Sequence, residues 1–155
     1  MSKSPGRFAG SREEHLEFTR TFPFFNLVGL EVLDMQPGES TTRVRWREDL
    51  CQPAGIMHGG VIATLIDTGI AHALLLTDVY KEFAAKGGYI VSVDLRVRYF
   101  RPVSAGAIVC KSTIPRLGRQ ILHGESIITN EDGKEIARGE SIYMGVLPNQ
   151  IQHQS

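Results

Sequence analysis

The sequence predicts an α+β fold in which a curved antiparallel sheet of five to six strands wraps around one long central helix. Three features support this prediction: a single strongly apolar helix, strands that alternate apolar and polar residues, and short turns that join the later strands directly. Hairpin connections give antiparallel pairing, and an apolar helix must be buried against the sheet. With 155 residues, we expect one domain over 11–147 and flexible tails at 1–10 and 148–155.

The first part of the chain predicts a short helix and two strands. Ser11 and Glu14 have the spacing of a capping box, and Pro23 is expected to end the helix that they begin. The predicted elements are a helix over 12–20 and strands over 27–35 and 41–47. The aromatic residues between them favour packing in the core: Phe22, Phe24 and Phe25.

A long helix over 59–78 is predicted to form the centre of the fold. Apolar residues cover most of its circumference, as in buried helices. The remaining stripe consists of small residues and one acid: Gly60, Ala63, Thr64, Asp67 and Ala71. From its spacing alone, Asp67 fits a structural acid bonded to a neighbouring loop as well as it fits a catalytic acid.

Four strands are predicted after the helix. The first, over 89–99, shows a clear period of two, with Tyr89, Val91, Val93, Leu95, Val97 and Tyr99 expected on one face and Ser92, Asp94, Arg96 and Arg98 on the other. The others are expected near 106–115, 119–129 and 136–146. An Asp-Gly pair at 132–133 favours a tight hairpin turn between the last two strands.

Composition excludes several classes of function. The formal net charge is zero, so no overall charge favours nucleic acid or an anionic membrane. Cys51 and Cys110 form no Cys-x-x-Cys pair, which fits a reducing compartment, and with no secretory signal we expect a cytoplasmic protein. Asp67 and His72 interrupt the long apolar run, which favours a buried helix over a membrane span. Metal-ligand spacings, nucleotide-binding loops and a Gly-x-Ser-x-Gly elbow are not seen, so we expect no metal and no cofactor.

The loop before the central helix carries the strongest chemical signal. It ends in His58-Gly59-Gly60, where glycines leave backbone N–H groups open at the positive end of a helix, a suitable place for a developing oxyanion. Gly59 and Asp67 lie eight residues apart, about 12 Å along a helix axis. One reacting group cannot contact both within one chain. The spacing therefore predicts a homo-oligomer whose sites combine Gly59 of one subunit with Asp67 of another.

These motifs resemble those of the hotdog-fold acyl-CoA thioesterases, in the subgroup that contains the phenylacetate-pathway and menaquinone-pathway thioesterases and thioesterase superfamily member 2. The resemblance covers 25–147. It is carried by His58-Gly59-Gly60 with Leu65 and Asp67, by the segment from Val91 to Gly106, by Gly118-Arg119, and by the last strand at 136–139. It implies a hotdog fold and active sites at a subunit interface, in a homodimer or a dimer-of-dimers tetramer.

The resemblance also implies roles for individual residues. Asp67 would act as general base or nucleophile, the Gly59 amide would bind the thioester oxygen, and Ser92 would hold the water. His58 would shape the loop and contact the thioester, while Gln52 stands where many members carry Asn. Ala71 stands where some relatives carry Ser or Thr, which shifts the water-holding role toward Ser92 or Thr68. Residues expected to bind substrate and CoA are Gly60, Thr68, Tyr99, Arg101, Gly118 and Arg119, with Arg96, Arg98 and Arg116 as further candidates for the phosphates.

The expected function is hydrolysis of an aryl- or fatty-acyl-CoA to the free acid and CoA, with CoA as part of the substrate. One alternative is a non-catalytic protein that binds acyl-CoA or an acyl carrier, which the intact Asp67 and His-Gly-Gly disfavour. The other is an enoyl-CoA hydratase, which usually needs a paired Asp and His within one short motif. A thiol nucleophile at Cys51 beside His58 has no evident third residue to orient it.

Overall fold

The computed structural model describes residues 10–148, and the elements within them confirm the predicted fold class. The helices are α1 (Arg12–Thr21), α2 (Pro23–Val28), α3 (Gly59–Leu75) and α4 (Asp78–Ala85), with a short 3-10 helix at Glu48–Leu50. The strands are β1 (Leu30–Gln36), β2 (Glu39–Arg45), β3 (Tyr89–Tyr99), β4 (Ala107–Leu117), β5 (Ile121–Asn130) and β6 (Glu135–Val146). Apart from Gly10 and Pro148, the predicted tails lie outside the described residues.

The sheet has six strands, all paired antiparallel, in the order β1-β2-β4-β5-β6-β3. Helix α3 contacts every one of them. A flat sheet of six strands would be about 24 Å wide, whereas a helix with its side chains is about 10–12 Å across. The sheet must therefore curve around α3, as predicted, and this curvature leaves β1 and β3 as the two edges.

The core lies between α3 and the concave face of the sheet. Helix and sheet approach so closely at two places that only glycine fits. A Cβ at Gly69 would lie 2.4 Å from the Ser112 Oγ, and a Cβ at Gly124 would lie 2.2 Å from a methyl of Ile70. The largest fully buried side chains include Leu65, Ile66, Ile70, Leu74, Ile108, Leu122 and Ile128. This packing fixes α3, and with it any side chain on the exposed stripe of the helix.

The N-terminal helices agree only partly with the prediction. The capping box is present, since the Ser11 hydroxyl accepts from the Glu14 N–H at 3.2 Å and the Glu14 carboxylate accepts from the Ser11 N–H at 2.7 Å. Pro23, however, also begins the unpredicted α2, because proline fits the first turn of a helix. Strand β1 therefore begins at 30 rather than 27. Phe24 is 47% exposed, so the prediction of core packing is wrong for this residue.

The central helix is shorter than predicted and a second helix follows it. Helix α3 ends at Leu75, and Thr77 then caps α4 by accepting from the Tyr80 N–H at 3.3 Å. The exposed stripe of α3 is the predicted one, since its small residues and Asp67 are all half-buried or exposed. Within residues 10–148 no single helix is long and apolar enough to cross a bilayer; α3 and α4 together would pass by length and composition, with an 81° bend between them.

Strand β3 does not keep one alternation along its length. Ser92 pairs with Tyr143 and Asp94 pairs with Ile142, so Val93 is an extra residue in a β-bulge. Beyond the bulge, Leu95 and Val97 share the helix-facing side, whereas the earlier residues Tyr89 and Val91 face outward with their partners on β6. The prediction of a single apolar face is therefore wrong, because an inserted residue reverses the phase of a strand. Ser92 consequently shares the inner face with Val97.

Candidate active site

The loop before α3 is held by its own backbone hydrogen bonds. The Gln52 N–H donates to the Ile56 carbonyl at 2.9 Å, Cys51 forms a bridge with Met57, and the His58 N–H donates to the Leu50 carbonyl at 2.8 Å. The Gln52 side chain caps the turn by accepting from the Ala54 N–H at 3.0 Å. This arrangement makes His58 the residue that caps the N-terminus of α3.

The two glycines after His58 differ in whether their backbone N–H has an acceptor. Its Nδ1 accepts from the Gly60 N–H at 2.8 Å, which assigns the ring proton of the neutral imidazole to Nε2. A Cβ at Gly60 would lie 2.9 Å from that nitrogen, so a side chain there would displace the cap. The Gly59 N–H, in contrast, has no acceptor within residues 10–148. Gly59 is therefore the glycine with a free amide at the positive end of the helix.

Six of the predicted site residues meet at one cleft of about 610 Å³, at the N-terminus of α3 and the end of β3: Gln52, His58, Gly59, Gly60, Tyr99 and Arg101. The Tyr99 hydroxyl donates to the Gly59 carbonyl at 3.0 Å, and its ring lies 3.3 Å from where a Cβ at Gly59 would be. The Arg101 guanidinium donates to the Glu135 carbonyl at 2.6 Å and remains exposed. The cleft thus combines a free amide, an aromatic wall and a cation.

Asp67 does not line this cleft. It is half-buried on the exposed stripe of α3, about two turns beyond Gly59. The Tyr143 hydroxyl donates to the Asp67 Oδ1 at 2.5 Å and lies 2.8 Å from the Asp67 backbone carbonyl oxygen. No donor within residues 10–148 reaches the Oδ2. One carboxylate oxygen is therefore held, and the other is available to a substrate or a water.

Tyr143 was not identified from the sequence. It is 4% exposed on the inner face of β6, opposite Ser92 in the strand pairing. Burial first, and then the Asp67 charge and hydrogen bond, raise the pKa of Tyr143 well above the ordinary value for tyrosine; the Ser92 hydroxyl offsets this only in part. Tyr143 is therefore a neutral donor. Alternation along β6 could have placed its side chain inward, but nothing local to β6 indicates a contact with α3.

The remaining predicted residues lie elsewhere. Thr68 is buried next to Asp67 but leaves the helix about 100° around the axis. Gly118 and Arg119 are in the β4–β5 turn, beside an open cleft of about 810 Å³ that Arg116 and His123 also line. Arg96 pairs with Asp94 at 2.9 Å. Residues 10–148 contain no group of three or more His, Cys, Asp or Glu side chains that could hold a metal ion.

Comparisons with known proteins agree with this architecture. The family model of the thioesterase superfamily matches residues 54–137, more than half of the chain. The acyl-coenzyme A thioesterase 13 of Homo sapiens is 29% identical over 131 residues, which cover 83% of this chain and 89% of that protein. Among solved structures, a thioesterase of Haemophilus influenzae has a TM-score of 0.75 at 20% identity and covers 97% of this chain and 99% of its own. The PaaI protein from the phenylacetic acid degradation operon of E. coli has a TM-score of 0.73 at 17% identity, covering 86% of this chain and 91% of its own.

Proposed function

Because this chain belongs to the thioesterase superfamily and is a thioester hydrolase, we propose that it hydrolyses aryl- or fatty-acyl-CoA to the free acid and CoA. One observation carries the proposal above all. The Gly59 amide has no acceptor within residues 10–148, and Gly59 lines the cleft at the positive end of α3. Such a donor stabilises negative charge on a carbonyl oxygen, as the tetrahedral intermediate of thioester hydrolysis requires.

In the proposed reaction, Asp67 activates the attacking water. The free Oδ2 accepts a proton from water, the water oxygen bonds to the thioester carbon, and the carbonyl oxygen becomes the oxyanion held by Gly59. The C–S bond then breaks and the CoA thiolate leaves and takes up a proton. In the second form of the mechanism Asp67 attacks the carbonyl carbon itself and water hydrolyses the resulting anhydride. Single turnover in heavy-oxygen water separates the two, because only attack by Asp67 labels its carboxylate.

The site needs two subunits in this proposal, since Gly59 and Asp67 of one chain are about 12 Å apart. Strand β3 supports an interface beside Asp67, because it is an edge strand of 11 residues with exposed apolar side chains. Val93 is 53% exposed and Tyr99 51%, and Phe100, directly after the strand, is 50% exposed. Long apolar edges favour pairing with another chain. A twofold homodimer, or a tetramer of two such dimers, would bring Asp67 of the partner subunit to the cleft of Gly59.

Cations near the cleft suit the phosphates of CoA. Arg101 lies on the cleft itself and is exposed. Arg116 and Arg119 line the separate opening at the β4–β5 turn. We assign Arg101 to the phosphates nearest the thioester and the two arginines of the turn to the far end of CoA, because guanidinium groups bind phosphate through paired hydrogen bonds.

The test is release of CoA thiol from a panel of aryl- and fatty-acyl-CoAs, followed with a thiol-trapping dye. We expect Asp67→Asn to lower kcat by about 100-fold or more, since a positioned general base contributes that much. Asp132→Asn is the matched control, because Asn-Gly supports the same hairpin turn as Asp-Gly. An Asp67→Asn enzyme that works at the parental rate would remove Asp67 from the mechanism, and an enoyl-CoA absorbance assay detects hydration instead of hydrolysis.

A second pair of variants tests the oxyanion donor and the composite site together. Gly59→Pro removes the N–H at a helix position that accepts proline, whereas Gly59→Ala adds a Cβ and keeps the N–H. We expect Gly59→Pro to be much slower than Gly59→Ala. Unfolding and refolding a mixture of Gly59→Pro and Asp67→Asn should restore about one quarter of the parental activity, since half of the dimers are mixed and each has one intact site. No recovery in stably mixed dimers would contradict a shared site.

A further inference from the structure

We propose that Tyr143 is a positioning residue for Asp67: it fixes one carboxylate oxygen, so that the other oxygen keeps the direction in which it acts in the reaction. This inference rests on the proposed function and adds a residue that the motifs did not indicate. Its basis is a contact between β6 and α3 that joins residues 76 positions apart in the chain.

The contact restrains Asp67. The Tyr143 hydroxyl is 2.5 Å from the Asp67 Oδ1 and 2.8 Å from its carbonyl oxygen, so one hydroxyl reaches both ends of the same residue. Tyr143 is 4% exposed, and its ring is fixed by the surrounding core. A carboxylate held at one oxygen cannot rotate freely, and its second oxygen therefore keeps a constant direction. A base needs this constancy because its partner must lie within hydrogen-bond reach.

Two serines lie beside Tyr143. The buried Ser141 hydroxyl donates to the Asp94 carbonyl at 2.9 Å, and its oxygen lies 3.0 Å from the Ser92 hydroxyl. Ser92 is also a hydrogen-bond partner of the Tyr143 hydroxyl, and its single proton goes either to Ser141 or to Tyr143. Ser92 and Asp94 flank the bulge of β3. The bulge therefore places the Ser92 hydroxyl on the Tyr143 side of β3 and supplies the carbonyl that holds Ser141.

Asp67 is the only charged group that the contacts place against Tyr143 within residues 10–148. From β3 and β6 the neighbours are the uncharged Ser92 and Ser141. The acids Asp94 and Glu140 and the side chain of His123 belong to the outer face, where they interact with one another or with Arg96. Burial and the Asp67 charge raise the pKa of Tyr143, so the hydroxyl keeps its proton. The hydroxyl is therefore a lasting donor to the Asp67 carboxylate.

The experiment is the steady-state kinetics of Tyr143→Phe, which removes the hydroxyl and keeps the buried ring. We expect kcat to fall about tenfold or more with little change in KM. Tyr89→Phe, at the start of β3 on the outer face, is the matched control and should keep the parental kcat and KM. A parental kcat for Tyr143→Phe would overturn the inference.

Two further measurements separate positioning from general damage. In an Asp67→Asn background, adding Tyr143→Phe should cause no further loss of the residual rate, because Tyr143 acts through Asp67; an additional loss of about tenfold would contradict this. Ser92→Ala alters an exposed residue, so it preserves the fold and should lower kcat by less than Tyr143→Phe does. If the parental enzyme releases no thiol from any acyl-CoA, the proposed function fails; if it does release thiol and Tyr143→Phe behaves like the parent, only the role of Tyr143 fails.

Discussion

The buried imidazole of His72 should make the protein lose stability in mild acid. His72 lies on α3 with its Nδ1 2.7 Å from the Thr68 carbonyl oxygen and its ring 5.7 Å from that of Phe25. Burial lowers the pKa of His72 from 6.5 to about 4, while the Thr68 carbonyl opposes that shift and a nearby His15 adds to it. Burial also lowers the pKa of His15. The folded protein therefore holds both rings neutral where an unfolded chain would protonate them.

The sign and size of the effect follow from linkage. Since the pKa of His72 is lower in the folded state, the unfolded chain binds more protons between pH 6.5 and about pH 4. The stabilisation that the neutral His72 ring contributes is therefore fully present above about pH 6.5, and it is lost as the pH is lowered through this window. For a shift from 6.5 to about 4, the loss is about 2 kcal/mol at pH 5 and about 3 kcal/mol at pH 4. His15 contributes in the same direction.

The assay is urea unfolding at about pH 7 and about pH 5, at one protein concentration because the proposed oligomer would gain stability with concentration. We expect His72→Leu, which fills the site with an apolar side chain, to lose about 2 kcal/mol less than the parent over this interval. Arg43 and Arg12 lower the pKa of Glu31 and Asp34, so these acids lose their charge only at lower pH. Equal pH dependence in the parent and His72→Leu would show that His72 is not the source of the acid sensitivity.

Two more predictions concern the cleft. His58→Ala should lower the free energy of unfolding by about 1 kcal/mol in urea, since it removes the cap on α3, and His58→Asn should recover most of the loss because Asn also caps helices. Equal stability of the two variants would contradict the capping role. Arg101→Ala should raise KM for acyl-CoA about tenfold, and it should leave hydrolysis of the same acyl group on a short thiol unchanged. The distant Arg20→Ala is the control. An equal loss on both substrates would show that Arg101 does not bind the CoA part.

Local signals allowed most of the fold to be predicted. The capping box at Ser11, the Asp-Gly hairpin and the helix that begins at Gly59 each depend on residues within a few positions of one another. The residues of the cleft were also predicted from the sequence. Most of them lie in one continuous loop before α3, and the others lie at the end of β3. The resemblance added the family, which the match over residues 54–137 confirms.

The elements that were missed depend on distant or subtle contacts. Helix α4 lacks a long apolar period, and its cap by Thr77 is a single side-chain bond. The sequence of β3 alternates apolar and polar residues without a break, although the bulge exchanges the faces to which they point. No pattern within the strand therefore reveals the bulge. Tyr143 reaches Asp67 across 76 positions, a pairing that appears only when β6 and α3 pack. The assembly of the subunits stays a prediction.

The extra residue at Val93 divides β3 into two segments whose side chains alternate in opposite phase. Before it, Tyr89 and Val91 point away from the helix, so polar replacements should be tolerated there; after it, Val97 packs on the core and should accept only apolar ones. In related sequences, the positions of β3 that accept polar residues should therefore alternate in one phase before Val93 and in the opposite phase after it. Removing one residue at the bulge would turn the side chains on one side of it to the opposite face of the sheet, and would move the Ser92 hydroxyl away from Ser141 and Tyr143.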